Sequence, residues 1–212
     1  MRCSYGEFMT TFLGAAAAGL GTGAGLIVAI GPQNVYVLQQ GVRRTHTAAI
    51  VAVCAISDLA LIIAGVAGLG ALVAAHPDLV TAAKLLGGAY VIVLGVLAAR
   101  RSSRGAAAIE AAAAQPMSRW TAIGTALVLT WLNPHVYLDT VLTLGAIASG
   151  HGDGRWAFAA GAGLASVLWF AALGHGAGRL SGFFSSPRAW RALDAVVAVI
   201  MIALGAALIL SI

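Results

Sequence analysis

Two of the seven acidic residues in this 212-residue chain stand where an acid is costly. Asp58 lies in "CAISDLALIIAG" (Cys54 to Gly65) and Asp139 in "TWLNPHVYLDT" (Thr130 to Thr140). Each sits inside a long apolar run that holds no Lys or Arg to pair with it. A carboxylate in that setting is either protonated or waiting for a cation. The chemistry on offer is therefore reversible capture of a proton or an organic cation. His135 precedes Asp139 by four residues, so a helix resuming after Pro134 puts them on one face, where His135 can tune the acid or shuttle a proton. A His beside a kink is more commonly a local hydrogen-bond donor. Gln33, Asn34 and Asn133 supply amides, which both donate and accept, and so suit an ammonium and a carboxylate alike. Tyr36 and Tyr137 follow the two proline sites at similar distances and could stack on a planar cation, although Tyr in a packed core is the commoner case. The competing structural account has each Asp as a neutral acid, bonded to Ser57, Asn34 or Tyr137 and only stapling helices.

The elements that must carry these residues are legible from composition. The chain is 60% hydrophobic and 9% charged, with a mean hydropathy of +0.94. Soluble domains carry about 25% charged residues, so this chain cannot cover a water-facing surface and reads as an integral membrane protein. A crossing helix needs about 20 apolar residues. Six runs meet or approach that: residues 8–30, 47–75, 79–99, 120–150, 156–178 and 193–212. The predicted fold is all-α, a polytopic membrane protein of six transmembrane helices. The remaining acids, Glu7, Asp78, Glu110, Asp153 and Asp194, fall in tails, loops or near a span end. The net charge of +5 does not indicate a nucleic-acid partner, because the basic residues cluster between the apolar runs. Nine of the twelve follow odd-numbered runs and three (Arg2, Lys84 and Arg155) lie on the other side, which puts the odd loops in the cytoplasm.

An Arg- and Ala-rich linker, residues 100–119, separates a first set of three spans (1–99) from a second (120–212). The sets resemble each other weakly: Pro32 in "IGPQNVYVL" matches Pro134 in "LNPHVYLDT", Ser57 matches Ser166, and Gly95 matches Gly205, in the same order. Three spans per copy is odd, so the second copy must be inverted in the bilayer. Two inverted three-helix repeats with broken first helices are a recurrent transporter design, with substrate held near the midplane. The helix breaks fall at Gly31, Pro32 and Pro134. Proline removes a backbone donor and clashes with the preceding turn, and in lipid the freed carbonyls must be received by protein or a water-filled cavity. Trp120, Trp156 and Trp190 read as interfacial anchors.

An enzyme is disfavoured. No HExxH, GxSxG or Cys pair is present, and one His beside one Asp is too thin for a metal site, so neither a metal nor a cofactor is expected. A channel stays open on these grounds, as does a homo-oligomer.

"GPQNVYVLQQGVRR" (Gly31 to Arg44), "CAISDLALIIAG", "TWLNPHVYLDT", "RWAFAAGA" (Arg155 to Ala162) and "SSPRAWRALDAVVAVIM" (Ser185 to Met201) resemble the LysE/ArgO family of bacterial basic amino-acid exporters. The likeness covers nearly the whole chain except the linker. It implies a multi-pass carrier of the bacterial inner membrane that exports L-arginine or L-lysine, driven by the proton motive force through alternating access. On that view Asp58 or Asp139 alternates between the substrate cation and a proton, and the GPQN and NPxxYLD segments form the substrate site. Export of neutral amino acids or other small cationic metabolites is the alternative.

Overall fold

The computed structural model describes residues 5–28, 31–69, 75–103, 117–180 and 186–212. Most of the linker, with Arg104 and Glu110, and the tail with Arg2 and Cys3 lie outside the described residues. The described chain is helical, with no strand among the described residues. The helices are α1 (Tyr5–Ile27), α2 (Pro32–Arg43), α3 (Thr47–Ala64), α4 (Pro77–Ser102) and α5 (Arg119–Trp131). Beyond α5 the chain breaks and resumes as α6, which joins Pro134–Val136, a π-helical stretch Tyr137–Leu144, and Gly145–Ser149. Two long helices complete it, α7 (Arg155–Ala177) and α8 (Pro187–Leu210).

Five helical segments are long and apolar enough to cross a membrane: Met9–Ile27, Thr47–Leu69, Pro77–Ser102, Gly152–Ala177 and Arg188–Leu210. They match five of the six runs expected from hydropathy. The sixth expected run, 120–150, is divided at Asn133 into α5 and α6, each shorter than a full crossing. Residues 32–43, too polar to count as a span, form a helix of their own.

Proline explains both starts. Gly31 is extended (φ −106, ψ 175) and Pro32 opens α2, where its missing N–H costs nothing and its fixed φ suits the first turn. Pro134 opens α6 in the same way.

The chain clusters into two compact units, each interleaved in sequence. The first comprises residues 1–29, 55–80 and 136–169. Its core is Ala15, Ile62, Val66, Leu144, Ala148, Phe158, Ala159 and Ala162. Here α1 and α7 meet backbone to backbone: a Cβ on Gly19 would strike the Phe158 carbonyl, and one on Gly161 would strike that of Ala16. Lipid gives no hydrophobic drive for helices to associate, so such small-residue seams supply the packing instead. The second unit comprises residues 30–54, 81–135 and 170–212. Val35, Val91, Ala98, Val197, Ala198 and Met201 form its core. Within it α4 and α8 approach through Gly88 and Gly205.

Candidate functional site

In the first unit, Asp58 is 6% exposed on α3. Ser166 on α7 donates its hydroxyl to Asp58 Oδ2 at 2.9 Å. The two helices are close at this level because Gly163, one turn before Ser166, leaves room for the Leu59 side chain. No Lys or Arg pairs with Asp58 among the described residues. The acid is held in place by a neutral donor and carries no resident counter-charge. Asp139 and Tyr137 belong to the same unit and lie half-buried on the π-helical stretch of α6. A π-helical stretch widens the helix and displaces its carbonyls, and such distortions concentrate at functional positions. Thr143 covers one of the displaced groups, donating to the Leu138 carbonyl at 2.9 Å.

The second unit holds the remaining expected site residues: Gln33, Asn34, Tyr36, Asn133 and His135. Gln33 and Asn34 are buried in the first turn of α2. The Gln33 side-chain amide nitrogen has no hydrogen-bond partner among the described residues. A buried donor left unsatisfied is costly, and it stands beside a helix N-terminus, where acceptors and anions are favoured. Tyr36 is anchored: its hydroxyl donates to the Ala122 carbonyl at 3.1 Å. Burial pushes the Tyr36 hydroxyl above its ordinary pKa, so it stays a donor at neutral pH. Asn133 is buried and has a local task, accepting the His135 backbone N–H on its Oδ1 at 3.1 Å. It thereby caps the helix that Pro134 opens.

Two features escaped sequence reasoning. Asp58 accepts from Ser166, which was not among the partners expected (Ser57, Asn34 and Tyr137); the match of Ser166 to Ser57 across the two sets of spans was the signal pointing at it. Asp194 is buried inside α8 and paired with Arg101 at 3.3 Å. Ser186 caps that helix, accepting from the Arg188 N–H at 3.2 Å, with Pro187 following. A Ser-Pro start at this point would have placed Asp194 two turns into the helix. Arg101 and Asp194 line a cavity of about 330 Å³ in the second unit, together with Tyr36, Gln39, Arg43 and Trp190.

Described residues that are all helical, with five membrane-length helices, two proline-broken elements and a buried acid that pairs with no Lys or Arg among them, have the build of a multi-pass membrane transporter. The sequence comparisons agree. Residues 24–212 match the profile of the LysE type translocators, and the chain belongs to that family. A Mycobacterium tuberculosis protein named as a candidate amino-acid transporter is 51% identical over 177 residues, 84% of this chain and 88% of its own. The lysine exporter LysE of Corynebacterium efficiens is 38% identical, covering 91% of this chain and 96% of its own. The arginine exporter ArgO of Pectobacterium carotovorum is 39% identical, covering 84% and 88%. No solved structure shows a significant match. The family is one of translocators, so the chain is a transport protein and not an enzyme.

Proposed function

We propose that this protein exports basic L-amino acids, arginine or lysine, from the bacterial cytoplasm across the inner membrane by proton-coupled alternating access. The observation that carries the proposal is Asp58: a carboxylate in an apolar span, 6% exposed, fixed by one neutral hydroxyl and, among the described residues, by no cation. An intramembrane acid is functional by default. A guanidinium or ammonium supplies the charge this one lacks, and a proton supplies it when the substrate leaves. Asp139 is the second proposed acid, with Tyr137 beside it in sequence and His135 one turn earlier as a proton relay. Gln33, with its unsatisfied amide donor, Asn34 and Asn133 are proposed to meet the α-carboxylate and ammonium, and Tyr36 to wall the path. The relatives named as lysine and arginine exporters support the substrate class. The division into two inverted three-span repeats (1–99 and 120–212, joined by a cytoplasmic linker at 100–119) and a cytoplasmic placement of the Arg-rich loops belong to the same proposal.

Counterflow in proteoliposomes tests it. Vesicles are loaded with unlabelled arginine, and labelled arginine, lysine and leucine are offered outside. Uptake of labelled arginine or lysine but not leucine is expected. Leucine exchange unaffected by Asp58→Asn would move the substrate class to neutral amino acids, and no exchange by folded protein would overturn the carrier reading.

A further inference from the structure

The cavity in the second unit is lined by neither Asp58 nor Asp139, and it shares Tyr36 with the proposed path. Its charged lining is Arg43, Arg101 and Asp194 and its aromatic lining Tyr36 and Trp190, and most of the rest is apolar. At about 330 Å³ it falls at the small end of ligand pockets, which run from about 300 to 1,000 Å³. That is room for one small metabolite.

The ion pair inside it is unevenly made. Arg101 directs both Nε and Nη2 at one oxygen, Asp194 Oδ1, each at 3.3 Å. A strong guanidinium–carboxylate pair uses both oxygens in parallel, so this one leaves Asp194 Oδ2 outside the pair. The partners also differ in freedom: the Asp194 side chain is 10% exposed and that of Arg101 44%. Arg101 sits in the last turn of α4 and can swing toward water, whereas Asp194 is fixed two turns into α8.

Burying a lone carboxylate is expensive, and removing its partner without replacement is strongly destabilising. Replacing one guanidinium or ammonium by another keeps the charge balance. A basic amino acid fits what the exchange leaves behind. Its side-chain cation takes Asp194, the indole of Trp190 offers a π face to that cation, and the released Arg101 together with Arg43 faces the α-carboxylate.

We propose that this cavity is a second binding site for a basic amino acid, an entry site in which the substrate's cationic side chain displaces Arg101 from Asp194. The site lies at the end of the protein that carries the Arg-rich segments: Arg43 closes α2, Arg101 closes α4 and Arg188 and Arg191 open α8. By the positive-inside rule that end faces the cytoplasm, the compartment from which an exporter loads. The site rests on the proposed export of basic amino acids and adds to it where substrate first docks.

The test is the concentration dependence of arginine exchange from the cytoplasmic side of full-length protein in proteoliposomes. Asp194→Asn is expected to raise the half-saturating arginine concentration on that side by about tenfold or more, the usual worth of a charged hydrogen bond. Exchange at saturation and half-saturation on the opposite side should change little. The double variant Arg101→Met with Asp194→Leu separates binding from architecture, since apolar replacement of a buried pair is tolerated. A structural pair predicts wild-type half-saturation in that variant; an entry site predicts the same rise. If either variant fails to fold, Gln39→Cys in a Cys3→Ser background decides. Its modification by a cationic thiol reagent should be slowed by arginine and not by leucine. Unchanged half-saturation in both variants, or no protection of Cys at position 39, overturns the entry site while leaving the export reading intact. Absence of arginine and lysine exchange in the unmutated protein would defeat the export reading itself.

Discussion

Asp58 was legible in the sequence because an acid is the rarest and most expensive thing an apolar run can hold. Ser166 was not, because the contact joins residues 108 apart and hydropathy carries no information about which helices touch. The pair yields two predictions. Asp58→Asn keeps the volume and the Ser166 hydrogen bond but removes the charge. It is expected to abolish arginine exchange while leaving membrane insertion and detergent-extracted yield unchanged. Ser166→Ala removes the donor that fixes the carboxylate, and a hydrogen bond to a charged group is worth about 1.5 to 3 kcal/mol. Exchange should fall by about tenfold or more and be restored by Ser166→Thr, which keeps the hydroxyl. Exchange at the wild-type rate in Ser166→Ala would mean that the hydroxyl is incidental. Asp194 shows the opposite failure. Its position one residue into the last apolar run grouped it with the acids near a span end, and only the tertiary fold shows that it is buried and paired with Arg101 from another helix.

At the scale of elements, the apolar runs translated into helices wherever length and hydropathy agreed. They were less informative where backbone geometry departs from a regular α-helix. Both prolines were recognised as breaks, but residues 32–43 were read as the far side of a broken helix and not as a helix of their own; the buried face, with Val35, Tyr36 and Val37, is what makes α2 a helix. The π-helical stretch at Tyr137–Leu144 is invisible to composition, since the same residues satisfy either helical period. It changes which face Asp139 presents relative to His135, so a spacing of four no longer guarantees a shared face. Asn133 is where the two scales meet, because it both caps α6 and is proposed to touch substrate. Asn133→Ser keeps a capping oxygen and loses the amide; Asn133→Ala loses both. Removing a cap costs about 1 kcal/mol, so Asn133→Ala should melt earlier than wild type in a thermal unfolding assay and Asn133→Ser close to it. If the amide also contacts substrate, Asn133→Ser should show a raised half-saturating arginine concentration at normal thermal stability. Normal affinity in Asn133→Ser would confine Asn133 to the cap.

For the whole molecule, the energetics of export set a requirement that no single residue shows. Moving one positive charge out of a negative-inside cell is uphill by about 2.3 kcal/mol for each 100 mV. A carrier whose acid holds the cationic substrate in one direction and a proton in the other transfers no net charge per cycle, so the opposing potential drops out and the pH gradient alone sets direction. That is what the proposed exchange at Asp58 entails, an acid in an apolar span that pairs with no Lys or Arg among the described residues. In proteoliposomes loaded with arginine, an imposed pH gradient, acid on the side that receives arginine, should drive its efflux. A potassium diffusion potential of either sign should leave the initial rate nearly unchanged. A rate that follows the potential and ignores the pH gradient would point to uncoupled movement of the cation, as through a channel. A response to both would mean that more than one proton, or a second acid such as Asp139, takes part in each cycle. Repeating the measurement in Asp139→Asn separates those last two cases: a return to dependence on the pH gradient alone assigns the extra charge to Asp139, and an unchanged double response assigns it elsewhere.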